Sequence, residues 1–271
     1  MNPSELRALL DRHGLRPSRA LGQNFLVDDN TAARIVRLAQ VAPGDHVVEV
    51  GPGVGSLTVA LHDAGARITA IELDRHLIPA LGEVLGGRDV CIVEADALDV
   101  DWPHVCAGSP RWAMVSNLPY NVAVPVVVRV LETAPMIERL LVMVQREVAE
   151  RLAARVGDDQ YGAVSVKVAF HADAKVVGLV PPSVFVPRPR VDSGLVRIVR
   201  RPSPVAVRDP ERMFELVRAG FATRRKTLRN ALASVLGADA ARALEAAGID
   251  PSARAETLDL AQWARLADAA P

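Results

Sequence analysis

Two clusters of residues in this sequence are suited to chemistry on a small polar ligand. The first is VVEVGPGVGSLT at residues 47–58, in which apolar residues lead into a glycine-rich turn. Gly51 and Gly53 have no side chain, so such a turn lets the backbone approach a bound molecule closely. The second cluster is acidic, because Glu72 and Asp96 each end an apolar segment typical of a strand. Together they predict a cofactor site at the carboxyl edge of a parallel sheet.

The spacing of these residues narrows the kind of cofactor. A dinucleotide fingerprint is GxGxxG, whereas this turn is GxGxG with Ser56 in place of the third small residue. Glu72 is placed to accept hydrogen bonds from ribose hydroxyls, and Asp96 to accept one from an adenine amine. No phosphate-binding lysine accompanies the turn. The set favours S-adenosyl-L-methionine over NAD or ATP, although the turn by itself is also compatible with a purely structural role.

A third cluster, Asn117-Leu118-Pro119-Tyr120, follows an apolar strand and fits recognition of a planar amine. The Asn117 side-chain oxygen and the Leu118 carbonyl can accept the two N–H bonds of an adenine N6 amine. Pro119 restricts Leu118 to an extended conformation that presents this carbonyl, and the Tyr120 ring can stack on the base. The amine is a poor nucleophile, so the rate would come from its alignment with a methyl sulfonium. The alternative is a strand-ending turn with a buried tyrosine.

Alternating strands and helices must position these clusters. Strands are predicted over 46–50, 68–73, 90–95, 113–117 and 139–144, with helices over 29–40, 57–61 and 77–85, from about residue 124, and over 146–156. Two further segments, 176–180 and 195–199, predict a hairpin at the sheet edge, and residues 210–271 show only helical periodicity. The expected architecture is α/β: a Rossmann-like domain over residues 1–200 and a small all-helical domain over 201–271.

Composition excludes several classes of protein. The chain has 271 residues, half of them hydrophobic, and it has no apolar run near the ~20 residues that span a bilayer. Its two cysteines are too few for a disulfide framework, and its six histidines form no HExxH pair. We therefore expect a cytoplasmic protein without a metal centre or membrane contact.

Charge is polarised although the formal net charge is zero. Residues 72–101 contain eight acidic residues and two arginines, whereas residues 185–229 contain twelve basic residues and four acidic ones. Such a chain can hold a cationic small molecule at one place and a polyanion at another. Solvated charged faces on separate elements are the alternative.

The motifs resemble those of the ribosomal RNA adenine N6-dimethyltransferase family, and most closely its bacterial 16S rRNA members. The resemblance rests on the three clusters above and on stretches in the same order along the chain: LGQNFLVD (21–28), MVQREVAERL (143–152), YGAVSV (161–166), FVPRPRVDS (185–193) and FATRRKTLRNAL (221–232). It implies a seven-stranded methyltransferase domain with a helical C-terminal domain. Two adjacent adenosines in a hairpin loop near the 3′ end of 16S rRNA would each receive two methyl groups.

The resemblance also implies roles for individual residues. Cofactor contacts would come from Asn24, Leu26, Gly51, Gly53, Glu72, Asp96 and Asn117. The target adenine would lie against Asn117, Leu118, Pro119 and Tyr120, with Phe185 stacking on its other face. The partner would be the 16S rRNA within an immature small ribosomal subunit, and the protein would act as a monomer.

Basic residues are the expected RNA contacts. Arg188 and Arg190 stand where the family commonly has proline and lysine, so positive charge is kept or added. The segment TRRKTLRNALASVL is predicted to be one helix, with Arg225 and Arg229 on one face and apolar residues on another. Its neighbours Arg224 and Lys226 are included as phosphate contacts, and the N-terminal Arg12, Arg16 and Arg19 are predicted to hold RNA near the cofactor.

Three alternatives remain open at the level of sequence. A 23S rRNA adenine methyltransferase of the resistance type shares the glycine turn and the aromatic clamp. An RNA-binding assembly or transcription factor could keep the fold without turnover, although the intact NLPY motif with Glu72 and Asp96 counts against it. A nicotinamide-dependent dehydrogenase is disfavoured by the glycine spacing.

Overall fold

The computed structural model describes residues 1–18, 21–223 and 225–271. The chain forms two compact units, and each is built from two segments: Met1–Ala149 with Lys175–Arg200, and Glu150–Ala174 with Arg201–Pro271. The sequence predicts a single boundary at residue 200. The structure instead assigns residues 150–174 to the helical unit, because Tyr161 and Val166 are part of its apolar core.

Nine strands are present in the described residues. They are β1 (Phe25–Leu26), β2 (His46–Val50), β3 (Arg67–Glu72), β4 (Val90–Glu94), β5 (Trp112–Asn117), β6 (Ile137–Gln145), β7 (Ala172–Val180), β8 (Phe185–Val186) and β9 (Ser193–Arg200). The two short strands, β1 and β8, pair with each other in antiparallel fashion.

The seven longer strands form one sheet in the order β4-β3-β2-β5-β6-β9-β7. Strands β2 to β6 all run parallel to one another, and β9 runs antiparallel to β6. The chain moves outward from β2 through β3 and β4 and then returns to the other side of β2 as β5. The direction of winding therefore reverses between β2 and β5, which is where open α/β sheets bind ligands, at the carboxyl ends of the strands.

Twelve α-helices complete the described residues. They are α1 (Pro3–Arg12), α2 (Asp29–Ala39), α3 (Ser56–Asp63), α4 (Ile78–Leu85), α5 (Trp102–Val105), α6 (Ala123–Thr133), α7 (Arg146–Ala153), α8 (Ala163–His171), α9 (Pro210–Ala222), α10 (Leu228–Leu236), α11 (Ala240–Ala246) and α12 (Leu260–Ala269). Among the described helices, none combines the length and the apolar composition that a bilayer span requires.

Burial follows the pattern expected of a parallel sheet. Residues 112–116 of β5 are buried without interruption, since helices cover both faces of such a sheet. Helix α6 buries Ala123, Val126, Val127, Val130 and Leu131, a spacing that lies on one helix face. The carbonyls at its end, those of Val130, Leu131 and Ala134, accept hydrogen bonds from the Arg200 guanidinium, which also reaches the Ile137 carbonyl of β6; the four distances are 2.7–3.1 Å.

The helical unit has an apolar core of its own. Helices α9 and α12 approach closely at Gly220, where an added Cβ would lie 2.6 Å from the Trp263 ring. The Tyr161 hydroxyl donates to the Leu258 carbonyl at 2.9 Å, so this buried polar group is satisfied within the unit. The all-helical character predicted for residues 210–271 is present.

Candidate active site

An open cavity lies at the carboxyl ends of β2, β3, β4 and β5 in the first unit. Its volume is about 1050 Å³ when the open solvent space at its mouth is counted. Its lining includes ten of the residues that the sequence singles out: Asn24, Leu26, Gly51, Gly53, Glu72, Asp96, Asn117, Leu118, Pro119 and Tyr120.

The glycine turn after β2 brings backbone directly against the loop after β5. Gly51 has φ +70°, and a Cβ there would lie 3.2 Å from Pro119 Cδ. Gly53 has φ +57°, and a Cβ there would lie 3.1 Å from the Phe25 ring. Both positions combine a left-handed backbone with a close neighbour, so a side chain would strain the turn and fill space beside the cavity.

Glu72 is held at the end of β3 by two backbone donors. Its Oε2 accepts from the Gly53 amide at 3.1 Å and its Oε1 from the Asp74 amide at 2.9 Å. Burial raises the pKa of this carboxyl group, and the backbone hydrogen bonds offset part of the rise. The side chain is thereby fixed, and its remaining lone pairs can accept from the hydroxyls of a ribose.

Asp96 occupies the equivalent place after β4. Its Oδ1 accepts from the Leu98 amide at 2.9 Å, which closes a local turn and orients the carboxylate. The second oxygen is available to a donor in the cavity. An exocyclic amine is a ligand group of the right polarity.

Asn117 is oriented by a hydrogen bond to another residue that lines the cavity. Its Nδ2 donates to the Asn24 carbonyl at 3.2 Å. Because the amide nitrogen faces this carbonyl, the amide oxygen is the atom left for a ligand, and Oδ1 has no hydrogen-bond partner among the described residues. Asn117 therefore presents a neutral acceptor at the switch point of the sheet.

The neighbouring backbone is fixed in a similar way. The Leu118 amide donates to the Met143 carbonyl of β6 at 3.1 Å, and the Val122 amide donates to the Pro119 carbonyl at 3.1 Å. Within the described residues no donor is bonded to the Leu118 carbonyl between them. Two neutral acceptors thus stand next to each other, as recognition of an N–H₂ group requires.

The Tyr120 ring lines the same cavity, and its hydroxyl pairs with the Ser193 hydroxyl at 2.7 Å. Burial raises the pKa of the Tyr120 phenol, and the bond to Ser193 offsets part of that rise. The phenol is therefore neutral near pH 7, so an aromatic face and not a charge is offered to a ligand.

The family model described as ribosomal RNA adenine dimethylase, which represents the sequences of that family, matches residues 15–270 of the chain. The chain belongs to this family. The ribosomal RNA small subunit methyltransferase A of Kineococcus radiotolerans is 51% identical over 98% of this chain and 90% of the relative. The protein of the same name from Thermobifida fusca is 49% identical over 100% of this chain and 96% of the relative. The family predicted from the motifs is confirmed, and with it an adenine dimethylase of ribosomal RNA.

Solved structures agree with this dimethylase fold. The 23S rRNA methyltransferase ErmE superposes with a TM-score of 0.66 at 30% identity, covering 91% of this chain and 99% of that one. A dimethyladenosine transferase from Plasmodium falciparum has the same fold, with a TM-score of 0.70 at 23% identity over 89% of this chain and 95% of that one. The predicted Rossmann-like domain with a seven-stranded sheet and a helical second unit is therefore confirmed.

Phe185 differs from its predicted position in the dimethylase site. The ring is only 2% exposed, belongs to the apolar core that contains Leu26 and Ile35, and does not line the cavity. The reason is that β8 pairs with β1 in a register that sets Phe185 opposite Leu26. In this structure Phe185 is a core residue.

The predicted RNA contacts fall in both units. Arg188 and Arg190 are exposed in the loop after β8, and Arg225, Lys226 and Arg229 are exposed in the helical unit. Arg225 and Arg229 do not share a helix, because α9 ends at Ala222 and α10 begins only at Leu228. Of the remaining predicted contacts, Arg19 and Arg224 lie outside the described residues.

Sequence reasoning missed Glu49, which also lines the cavity. It is 1% exposed, and burial raises the pKa of its carboxyl group to about 8. The Thr58 hydroxyl offsets part of that rise, yet Glu49 Oε2 and Thr58 Oγ1 have no hydrogen-bond partner of ordinary geometry within the described residues. The sequence did contain a signal, since Glu49 is an acidic residue inside the apolar segment VVEV and stands two residues before Gly51.

Proposed function

We propose that this dimethylase transfers methyl groups from S-adenosyl-L-methionine to the N6 amines of two adjacent adenosines in a hairpin loop near the 3′ end of 16S rRNA. The substrate is the RNA of an immature small ribosomal subunit in the cytoplasm, and the protein acts as a monomer. The observation that carries the proposal is the Asn117 amide, whose nitrogen is bonded to the Asn24 carbonyl so that its oxygen is the free acceptor.

The cavity fits this cofactor. Gly51 and Gly53 allow the backbone to lie close to a ligand, Glu72 offers acceptors for a ribose, and Asp96 offers one for the adenine amine. Asn24 and Leu26 also line the cavity. When bound, S-adenosyl-L-methionine supplies a methyl group made electrophilic by a positively charged sulfur.

The target amine is positioned by the loop after β5. Asn117 Oδ1 and the Leu118 carbonyl each accept one of its N–H bonds, which favours a pyramidal nitrogen whose lone pair faces the methyl group. The Tyr120 ring holds the base by stacking, at a typical strength of about 1–3 kcal/mol per base. No charged base is needed, because the amine proton becomes acidic only once the methyl group is attached. Alignment is the main source of the rate.

The target adenine must leave its base stack before it can enter the site, and a base in an RNA loop does so at a low cost in free energy. We assign contacts with the RNA backbone to exposed Arg188 and Arg190 in the first unit and to Arg225, Lys226 and Arg229 in the helical unit. Contacts of this kind weaken steeply with salt. RNA binding that is insensitive to salt would contradict this assignment.

One assay separates the proposal from its competitors. The protein is incubated with labelled S-adenosyl-L-methionine and either unmethylated small subunits or bare large-subunit RNA, and the modified nucleoside is identified. Dimethyladenosine in the small subunit is expected. Product only on large-subunit RNA would favour a 23S enzyme, a second candidate suggested by the likeness to ErmE. RNA binding without label would indicate a protein that has lost turnover.

Asn117→Ala tests the residue on which the proposal rests. Transfer should become undetectable while the fold persists and most of the cofactor affinity remains, since Glu72 and Asp96 are untouched. Near-normal turnover in this variant would refute the role assigned to Asn117.

A further inference from the structure

A pair of hydroxyl groups lies behind the cavity. Tyr120 Oη and Ser193 Oγ are 2.7 Å apart, and Ser193 is 0% exposed. Tyr120 lines the cavity and Ser193 does not. Ser193 comes from the FVPRPRVDS motif, which the proposed mechanism otherwise leaves without a chemical part inside the site.

The backbone at Ser193 is held on both sides. Ser193 pairs with Gln145 of β6, and the preceding carbonyl of Asp192 accepts from the Arg146 amide at 2.9 Å. The following residue is Gly194, where an added Cβ would overlap the Cβ of Ala149. A hydroxyl on a backbone fixed in this way is a rigid anchor.

The same strand, β6, also holds the loop that carries Tyr120. The Leu118 amide donates to Met143, and Met143 pairs with Leu195 of β9. Strand β6 therefore fixes both the backbone before Tyr120 and Ser193, the residue that bonds its hydroxyl. A tyrosine ring held at its Cα end and at its hydroxyl end keeps one orientation.

We propose that Ser193 is a positioning residue for the target base: its hydroxyl holds the Tyr120 ring in the orientation in which the extruded adenine stacks on it. This inference rests on the proposed function. It assigns a part in substrate binding to a residue that touches neither substrate nor cofactor. A serine that only satisfied a buried phenol would stabilise the fold without affecting the reaction, and the two cases differ measurably.

The test is a double-mutant cycle of wild type, Ser193→Ala, Tyr120→Phe and the double variant. Each protein is assayed for kcat/KM with small subunits at saturating cofactor, for cofactor Kd by calorimetry, and for Tm. Each single variant should lose about tenfold in kcat/KM, the value of one net hydrogen bond. The double variant should lose no more than either single one, because both remove the same bond. Cofactor Kd should stay within about twofold.

A spectroscopic arm does not depend on catalysis. The chain has two tyrosines, so 3-fluorotyrosine labelling gives two ¹⁹F environments that Tyr120→Phe assigns. Ser193→Ala should shift and broaden the Tyr120 resonance and leave the Tyr161 resonance in place. If wild type proves inactive on small subunits while this shift is seen, the proposed function fails and the anchoring of the ring survives.

Ser165→Ala is the matched control. Ser165 is also buried, and its hydroxyl donates to the Arg151 carbonyl at 2.6 Å within the helical unit. This variant should lower Tm without changing kcat/KM or the Tyr120 resonance. The proposal is overturned if Ser193→Ala keeps wild-type kcat/KM, if losses in the double variant multiply, or if the Tyr120 resonance does not respond.

Discussion

The buried carboxyl group of Glu49 makes the stability of the protein depend on pH in a direction opposite to that of most carboxylates. Its pKa rises from 4.5 to about 8, chiefly because burial penalises the charged form. The unfolded chain releases this proton near pH 4.5, whereas the native protein keeps it to about pH 8. Between these values the unfolded state binds fewer protons, so the free energy of unfolding falls as pH rises.

The size of the effect follows from the two pKa values. Each pH unit between them corresponds to about 1.4 kcal/mol, so the full interval is worth roughly 5 kcal/mol of lost stability. Glu49→Gln keeps the shape and removes the charge. The free energy of unfolding of the variant should equal that of wild type near pH 4.5. It should exceed the wild-type value by an increasing amount as pH rises, and by a few kcal/mol above pH 8.

Urea unfolding of the cofactor-free protein from pH 5 to pH 9 measures this directly. The difference between variant and wild type reports on Glu49 together with its repulsion from Glu72, because groups that do not interact with Glu49 cancel. Glu94→Gln, at an exposed position that ends β4, serves as the control in which a carboxyl group is replaced without a change in a buried site. A difference for Glu49→Gln that does not vary from pH 5 to pH 9 would refute the reasoning, since Glu49 would then be ionised in the native state.

Three further predictions concern other parts of the molecule. Arg200→Lys should lower the free energy of unfolding by about 3 kcal/mol in urea titrations, because three carbonyls at the end of α6 and that of Ile137 in β6 lose their shared guanidinium; an unchanged midpoint would contradict this. Gly51→Ala should weaken cofactor binding at least tenfold by calorimetry, since φ +70° and a Cβ 3.2 Å from Pro119 Cδ disturb the turn, and wild-type affinity would exclude that close approach. Arg188→Ala and Arg190→Ala should each reduce the slope of log Kd for RNA against log salt by somewhat under one, and an unaltered slope would remove that residue from the RNA interface.

Much of the first unit could be predicted from sequence because parallel strands covered on both faces are continuously apolar. The observed β2, His46–Val50, has the predicted bounds, and β5 begins one residue before its predicted start. The cavity residues were predictable for the same reason, since polar residues that end such strands meet at one edge of the sheet.

The pairing of strands distant in sequence and the positions of helix breaks could not be predicted from these patterns. Phe185 is as suitable for stacking as for a core, and only the pairing of β8 with β1 decides between them. The break before Leu228 was missed because Arg225 and Lys226 are good helix formers, although Thr227 stands at the N-cap of α10. Helix α8 was missed because AVSVKVAFH is rich in β-branched residues, and tertiary packing overrides that preference.

Ser193 was missed for a different reason. A single serine at the end of a motif gives no sign of which side chain it faces, and its partner Tyr120 is distant in sequence. This pair becomes visible only once β5 and β9 are placed on either side of β6.

The interleaving of the two units limits how the protein can be dissected. A chain shortened after Arg200 would keep Glu150–Ala174, the minor part of the helical unit, without its larger part. Val166 and Tyr161, now buried, would face water and promote self-association. A separable cofactor-binding protein therefore requires excision of both segments, and exchange of helical units between relatives requires grafting at both crossover regions together.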